Sequence, residues 1–320
     1  MSVFIAPLAL IAERWLGYPQ QLLGTIGHPV MWMGGLIDWL ETRLNRPTRD
    51  ARQKRDAGLV ALAILLTLSF IIAFVLQQFV RGLALGWILE TVLAMPFLAQ
   101  KELGRAVRAV ADGLRSSLAE GRKAVSHIVG RDPDQLDEAG VARAAIETLA
   151  ENTSDGVVAP LFWLFVFGLP GIVVYKAINT ADSMVGHLNE RYRDYGWASA
   201  RLDDLANWIP ARLTAMAITA ACFFVSHASP SSAWAAAKRD AEKHASPNAG
   251  WPEAAMAGAL GFALGGPRSY DGEMVDLPVM GGGKRQLVAS DILRALDLYR
   301  VTLNVLLAAS IALALMLSTL

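Results

Sequence analysis

Charge is scarce in this chain and sulfur chemistry nearly absent. Only 18% of its 320 residues are charged against 54% hydrophobic, and 29 Lys and Arg balance 29 Asp and Glu to a net charge of zero. Without a basic surplus there is no electrostatic footprint for nucleic acid, and without an acidic block there is no solvated tail. The single cysteine, Cys222, lies in an apolar run. It excludes an intrachain disulfide and a CxxC pair for zinc or redox work, and reads as a small buried apolar residue. No HExxH, GxSxG or spaced Cys/His set occurs, so zinc hydrolysis and serine-hydrolase chemistry lack support. Gly281-Gly282-Gly283-Lys284 is not a P-loop, because Arg285 replaces the required Ser or Thr and Pro278 stands where the first Gly belongs.

Long apolar sequence is what the chain has in quantity. A helix crossing the hydrocarbon core needs about 20 residues with few or no charges. Ala57 to Val80 and Val301 to Leu320 carry none and are the firmest spans. Gly82 to Gln100 is interrupted only by Glu90, Gly156 to Tyr175 is uncharged, and Leu213 to Val225 lies in a longer uncharged stretch. The expected fold is an all-α, polytopic integral membrane protein of four or five transmembrane helices with a helical cytoplasmic portion. Residues 1–320 would be one membrane domain carrying 101–155 as a cytoplasmic helical insertion. The first twelve residues are uncharged but end at Glu13 and Arg14 without a basic start, which predicts a membrane-lying or partly inserted helix rather than a cleaved signal.

Six basic residues between Asp38 and Asp56 precede the first firm span, and the positive-inside rule places them in the cytoplasm. The first two spans would form a hairpin that returns Lys101 to Asp155 to the same side. In that segment Leu103, Val107, Val110, Leu114 and Leu118 recur at helical spacing and give one apolar face. Asp132-Pro133 reads as an N-cap with Pro at the first helical position, opening a helix to about Ala150. Lys176 to Arg212 holds five basic residues and Ala228 to Arg300 eight, yet a full span lies on each side of the first, so both cannot simply be inside. Gly168-Leu169-Pro170-Gly171 interrupts the intervening apolar stretch, and a re-entrant hairpin there would remove part of the conflict. Such a bend would also bring together two similar tetrads, Asn152-Thr153-Ser154-Asp155 and Asn179-Thr180-Ala181-Asp182, which otherwise read as helix caps.

Polar residues outside the spans concentrate in 147–155, 176–212 and 238–273. Lys176, Asn179, Asp182 and Ser183 share a helix face and offer a cation, an amide, a carboxylate and a hydroxyl, a set suited to phosphate and metal. Arg201, Asp203 and Asp204 add a cation and two adjacent carboxylates, the hard oxygen ligands Mg²⁺ accepts, with a surface ion pair as the alternative. The third segment holds His244, Ser246, Asn248, Trp251 and Glu253, then Gly265-Gly266-Pro267-Arg268-Ser269-Tyr270, where Arg268 could take a phosphate in a two-pronged contact.

Glu151-Asn152-Thr153-Ser154-Asp155-Gly156-Val157-Val158-Ala159-Pro160, Tyr175-Lys176-Ala177 through Gly186, Trp197 through Arg212, and Ser246 through Gly258 resemble, in order, the signatures of the CobD/CbiB family of adenosylcobinamide-phosphate synthases. His28-Pro29-Val30 with Met33-Gly34 fits too, so the resemblance runs from about residue 10 to 275. Glu13 and Gly17-Tyr18-Pro19 depart from the family's Asp and Gly-Asp-Pro, and Ala245 replaces a customary Pro.

The resemblance implies an inner-membrane, multi-pass, ATP-dependent amide ligase that condenses the corrinoid adenosylcobyric acid with (R)-1-amino-2-propanol phosphate. ATP and Mg²⁺ are the implied cofactors. Asp155, Asp182, Asp203 and Asp204 would supply metal ligands, and Lys176, Arg201 and Arg268 would pair with phosphate oxygens. Asn152, Asn179, Ser183, Asn248, Ser269 and Tyr270 would complete the substrate contacts. Asp182 would be catalytic, and the base would be Glu151 or His244, between which the sequence does not choose. A transporter or a non-catalytic membrane scaffold on the same fold are the rival readings. The placement of charge at the ends of the apolar stretches, with Glu90 the exception, favours the enzyme. Whether the chain forms a homodimer, and whether the amine is phosphorylated before joining, are left open.

Overall fold

The computed structural model describes residues 2–129, 133–266, 268–270, 273–275 and 277–319. They are mostly helical, and they fall into two compact units: residues 1–99, 159–207 and 310–320, and residues 100–158 and 208–309. Among the described residues three helical runs are long and apolar enough to cross a membrane, Ala51–Arg81, Glu138–Val185 and Ala289–Ser318, with a shorter apolar one at Trp208–Phe224.

The first unit is built around the helix Ala51–Arg81. It opens with a capping box in which the Asp50 side chain accepts from Gln53 N at 2.8 Å and the Gln53 side chain accepts from Asp50 N at 3.3 Å. Its buried seam of Ala57, Gly58, Ala61, Leu65, Ser69 and Ala73 is mostly small, and small residues let backbones approach closely where apolar surroundings supply no other drive to associate. At Gly58 a Cβ would sit 1.9 Å from the Tyr195 carbonyl oxygen, so only glycine admits the loop that packs there. That loop is pinned by two ion pairs: Arg191 to buried Glu41 at 2.7 Å and Arg55 to Asp194 at 3.1 Å.

Glycine also decides the path of Ala159–Val185. The run reverses at Gly168, whose φ of 67° and ψ of −152° lie outside the helix and are open to a residue without a Cβ. A straight helix would hold Ala159 and Tyr175 about 24 Å apart, yet both belong to one buried cluster with Ala206 and Trp163. A Cβ on Gly171 would come within 2.2 Å of the Trp163 carbonyl oxygen. The bend expected at Gly168 to Gly171 is therefore present, and it makes a hairpin. Its tip stands beside Gln77 and Arg81, and Val185 shares a crevice with Gly58 and Ala61, so the returning arm runs antiparallel to Ala51–Arg81.

The expected span over Gly82 to Gln100 is not a membrane-length helix. Gly86–Ala94 holds nine residues and gives way to a 3-10 turn at Met95–Phe97 containing Pro96, too short for a crossing that needs about 20. Glu90 does not stand alone in it, since Arg81 and Gln77 both donate to its carboxylate. Near the N-terminus, the helix Ile5–Leu16 buries Ile5, Ala6, Ala9 and Leu10.

In the second unit the amphipathic helix Gln100–Ser116 buries Leu103, Val107, Val110 and Leu114 as its spacing predicts. It stops before Leu118, because Ser117 caps a separate helix Leu118–Ser126 by accepting from Glu120 N. The helix expected to open at Pro133 opens instead at Glu138 and runs to Thr153, capped by Asp137, which accepts from Gly140 N at 2.7 Å. Asp132 itself lies outside the described residues. Asp137 wins because it stands directly before the first apolar helical residues, as an N-cap must. Helices Trp208–Ala221, Pro230–Asp240 and Gly250–Leu260 follow. The Gly- and Pro-rich stretch forms two small antiparallel ladders, Ala263–Gly265 with Val279–Gly281 and Arg268–Tyr270 with Glu273–Val275, a minor departure from all-α. Lys284, the lysine of the Gly281-Gly282-Gly283-Lys284 run, is tied to Asp291 at 2.7 Å.

Candidate active site

Buried in the first unit, Asp203 sits on the helix Trp197–Ala206 with 9% of its surface exposed. Asn207 Nδ2 donates to its Oδ2 at 2.9 Å, and Asn179 Nδ2 reaches its Oδ1 at 3.5 Å. Each amide is oriented in turn. Tyr175 Oη donates to Asn207 Oδ1 at 2.9 Å, and Lys176 Nζ donates to Asn179 Oδ1 at 3.0 Å. Donors thus run inward from both sides, Tyr175 through Asn207 and Lys176 through Asn179, and end on one carboxylate. Trp163 fixes the neighbouring backbone by donating to the Ala206 carbonyl at 3.2 Å.

The second carboxylate near this network is Asp182. Gly186 leaves it room, since a Cβ there would fall 2.0 Å from Asp182 Oδ1. Burial pushes Asp203 up to about 7, the negative charge of Asp182 and then Asp204 adds to the rise, and the Asn207 and Asn179 donors only partly oppose it. His28 stands close to Lys176. Burial lowers the histidine's proton affinity and the lysine's charge lowers it further, while a hydrogen bond to the Pro96 backbone opposes both. His28 Nδ1 also accepts from Val30 N at 3.3 Å and so caps the helix Pro29–Leu44.

A Mg²⁺ ion takes one or two carboxylates, fills its remaining positions with water and substrate phosphate, and needs no all-protein cage. Among the described residues no group of three or more His, Cys, Asp or Glu comes together to hold a metal, and two carboxylates are the share such an ion needs from the protein. Asp182 and Asp203 fit that share. Asp203 receives its hydrogen bonds from two neutral amides, and Asp182 adds negative charge beside it, a local field that favours a cation.

The other residues singled out in the first unit lie around this core. Ser183 is exposed and donates to the Asn179 carbonyl at 2.8 Å. Arg201 pairs with Asp204 one turn on at 3.8 Å, the surface ion pair weighed as their alternative. Burial raises the Asp204 affinity for a proton, against the pull of Arg201.

The second unit holds the rest. Asn152 is half-buried and donates to the Thr148 carbonyl at 3.1 Å, while Glu151 is exposed on the same helix. Asp155 is half-buried in a π-helical turn, Ser154–Val158, where the hydroxyl of buried Ser154 has no partner among the described residues; such turns recur at functional sites. His244 Nδ1 accepts from Ser246 N at 3.0 Å, which turns Nε2 toward buried Glu253 at 3.6 Å. Asn248 Oδ1 accepts from Arg212 at 3.3 Å, and the Arg212 guanidinium lies 4.4 Å from the Trp208 ring centre and 4.9 Å from that of Trp251. The side chains of Arg268, Ser269 and Tyr270 lie outside the described residues.

Over residues 6–299 the sequence matches the family described as CobD/Cbib protein. The chain belongs to that family. It is 47% identical over 315 residues to the cobalamin biosynthesis protein CobD of Brucella anthropi, covering 96% of this chain and 95% of the relative. The CobD of a Sinorhizobium species is 49% identical over 292 residues, 90% of each chain, and that of Rhodobacter capsulatus is 51% identical over 296 residues, 92% of this chain and 91% of the relative. No solved structure matches.

Within this CobD/Cbib chain, Tyr175 and Asn207 take part in the network although sequence reasoning gave them no role. Tyr175 is 1% and Asn207 1% exposed. Both lie inside the matched signatures, and a buried Tyr and Asn beside a carboxylate is a signal that each needs a partner. His28, far away in sequence, could not have been joined to Lys176 by spacing alone.

Proposed function

We propose that this chain is the adenosylcobinamide-phosphate synthase of cobalamin biosynthesis, joining adenosylcobyric acid to (R)-1-amino-2-propanol phosphate in an ATP-dependent amide synthesis at the membrane. Membership of the CobD/Cbib family and relatives named cobalamin biosynthesis proteins support the pathway. The observation that supports the chemistry is the buried Asp203 carboxylate, held by two amides with the charge of Asp182 beside it and the Lys176 ammonium one amide away.

In this reading Asp182 and Asp203 would hold Mg²⁺, which when bound would supply charge neutralisation for clustered phosphates. Lys176, freed from Asn179 by a phosphate oxygen, adds a cation on the same helix face. The carboxylate of the corrinoid takes the terminal phosphoryl group of ATP, and ADP leaves. The amine nitrogen then attacks the acyl carbon, phosphate departs, and one proton leaves the nitrogen. The Asn207 and Asn179 donors keep Asp203 fixed throughout, so that positioning and charge do most of the work. Glu151 and His244 remain the candidate bases, the second with a fixed ring orientation.

The test uses purified protein in detergent with adenosylcobyric acid, aminopropanol phosphate and Mg²⁺, with and without ATP, following the corrinoid by mass spectrometry. A mass gain of one amide bond that requires ATP is expected. Corrinoid binding without any gain would overturn the ligase reading in favour of a carrier.

A further inference from the structure

The first unit contains an apolar groove that shares Tyr175 and Trp163 with the wall of the candidate site but is lined by none of the proposed metal or phosphate ligands. Its volume is about 630 Å³, and Leu66, Phe70 and Phe74 of Ala51–Arg81 face Trp163, Phe167 and Val174 of the hairpin across it. Leu66 and Gln77 mark its two ends along the helix. At 1.5 Å per residue they are about 16 Å apart, close to half the roughly 30 Å thickness of a bilayer's hydrocarbon core. The uncharged run of this helix is Ala57 to Val80, so Leu66 stands near mid-membrane and Gln77 near one surface. The groove is one leaflet deep.

Its rim is open. Phe70, Phe74 and Phe167 are 49%, 43% and 62% exposed, at a depth where the surroundings are hydrocarbon. Water has almost no polar partner on these walls, and an empty groove would forfeit dispersion contacts along its whole length. An acyl chain satisfies both conditions.

The outer end supplies the second half of a ligand site. There the groove adjoins a polar pocket of about 290 Å³ through the shared residues Gln77 and Phe167, and Arg81, Val166 and Gly168 line it. Arg81 gives Nε and Nη2 to Glu90 at 3.1 and 3.0 Å. A guanidinium has five N–H donors in a planar fork that suits phosphate, and the Arg81 side chain is 43% exposed. Opposite it the helix is broken at Gly168, and Pro170 has no N–H to give the Val166 carbonyl. That end offers acceptors for an ammonium or hydroxyl. Because Glu90 already balances the Arg81 charge, a headgroup without net charge fits better than an anionic one.

We propose that groove and pocket together bind one zwitterionic phospholipid from the leaflet opposite the basic residues Arg43 to Arg55, with an acyl chain between Leu66 and Gln77 and the phosphate at Arg81. The inference does not rest on the ligase reading.

The experiment is native mass spectrometry of the full chain released from vesicles of phosphatidylethanolamine and phosphatidylglycerol in equal amounts. One retained phosphatidylethanolamine per chain is expected. Leu66→Trp, which fills the groove, should lower that occupancy about tenfold, the equivalent of about 1.4 kcal/mol. Leu68→Trp, on an exposed position outside the groove, should not change it. The double variant Arg81→Gln with Glu90→Gln should keep a lipid but lose the headgroup preference. No retained lipid in the wild type, or equal retention in Leu66→Trp and Leu68→Trp, would overturn the site and leave only annular lipid. Should Leu66→Trp fail to fold, a phosphatidylethanolamine with a photoreactive acyl chain decides on the wild type. Labelling confined to peptides containing 66–77 and 163–174 supports the proposal, and labelling elsewhere overturns it.

Discussion

Two buried aspartates, one in each unit, are handled in opposite ways. Asp240 in the second unit has no exposed side-chain surface, and Arg239, Lys243 and the Gly281 N–H all donate to it. Desolvation would raise its proton affinity, but these donors outweigh the penalty and hold it at about 2. Asp203 in the first unit has two neutral amides and a second carboxylate for company, and is pushed up to about 7. A carboxylate that the protein itself neutralises is a structural charge. One left facing another carboxylate is unfinished until a cation arrives, and that difference separates a strut from a site.

The largest expected effect comes from Asp182→Asn, which removes one member of the pair while preserving shape. Turnover should fall by roughly a hundredfold or more, the scale seen when one preorganised electrostatic partner is lost, with an unchanged unfolding temperature. Wild-type turnover in this variant would take Asp182 out of the site. Asp240→Asn should do the reverse, lowering the unfolding temperature by several degrees while the folded fraction keeps its activity.

The pH dependence of stability sharpens the contrast. Asp203 has its folded affinity for protons raised, so its contribution is complete below the unfolded value near 4 and is lost as pH rises through about 7. Asp240 is shifted the other way, so its contribution is present above about 4 and is lost as pH falls toward 2. In Mg²⁺-free buffer, Asp203→Asn should therefore flatten the decline in unfolding temperature between pH 5 and 8. Asp240→Asn should flatten the decline below pH 4. A parallel response of both variants would mean that the two aspartates do not differ as described.

Mg²⁺ gives a third comparison. Millimolar Mg²⁺ should raise the unfolding temperature of the wild type at pH 8, because a ligand that binds only the folded state stabilises it. It should have no effect on Asp203→Asn and none that depends on Asp240. The smallest effect belongs to Glu41→Gln. Hydrogen bonds from Arg191, more than the burial that opposes them, lower the Glu41 proton affinity, and the loss should loosen the loop 186–196. Faster proteolysis there, with turnover reduced less than in Asp182→Asn, is the expected outcome.

Much of the first unit was legible as text. The capacity to span came from uncharged runs such as Ala57 to Val80, because a bilayer selects on length and apolarity alone. The hairpin could be expected at Gly168 to Gly171, since glycine and proline act on the backbone locally. Lys176, Asn179 and Asp182 could be grouped because helical spacing puts them on one face. The segment Gly82 to Gln100 misled for the complementary reason: its composition is that of a span, but Pro96 and its ion-paired Glu90 make it a short helix. The next helix begins behind Asp137 rather than at Pro133 because where a helix begins depends on where its apolar face meets its neighbours.

By itself, then, the sequence determined the family, the membrane-spanning capacity and the reversal at Gly168, all of which follow from residue type and short-range spacing. Only the tertiary structure decided that Asp203 is buried, that amides hold it, that Tyr175, Asn207 and His28 join Lys176, and that an apolar groove lies beside them. Those are facts about which distant segments meet, and in a chain with so few charges a single missing or added counterion fixes what each buried carboxylate can do.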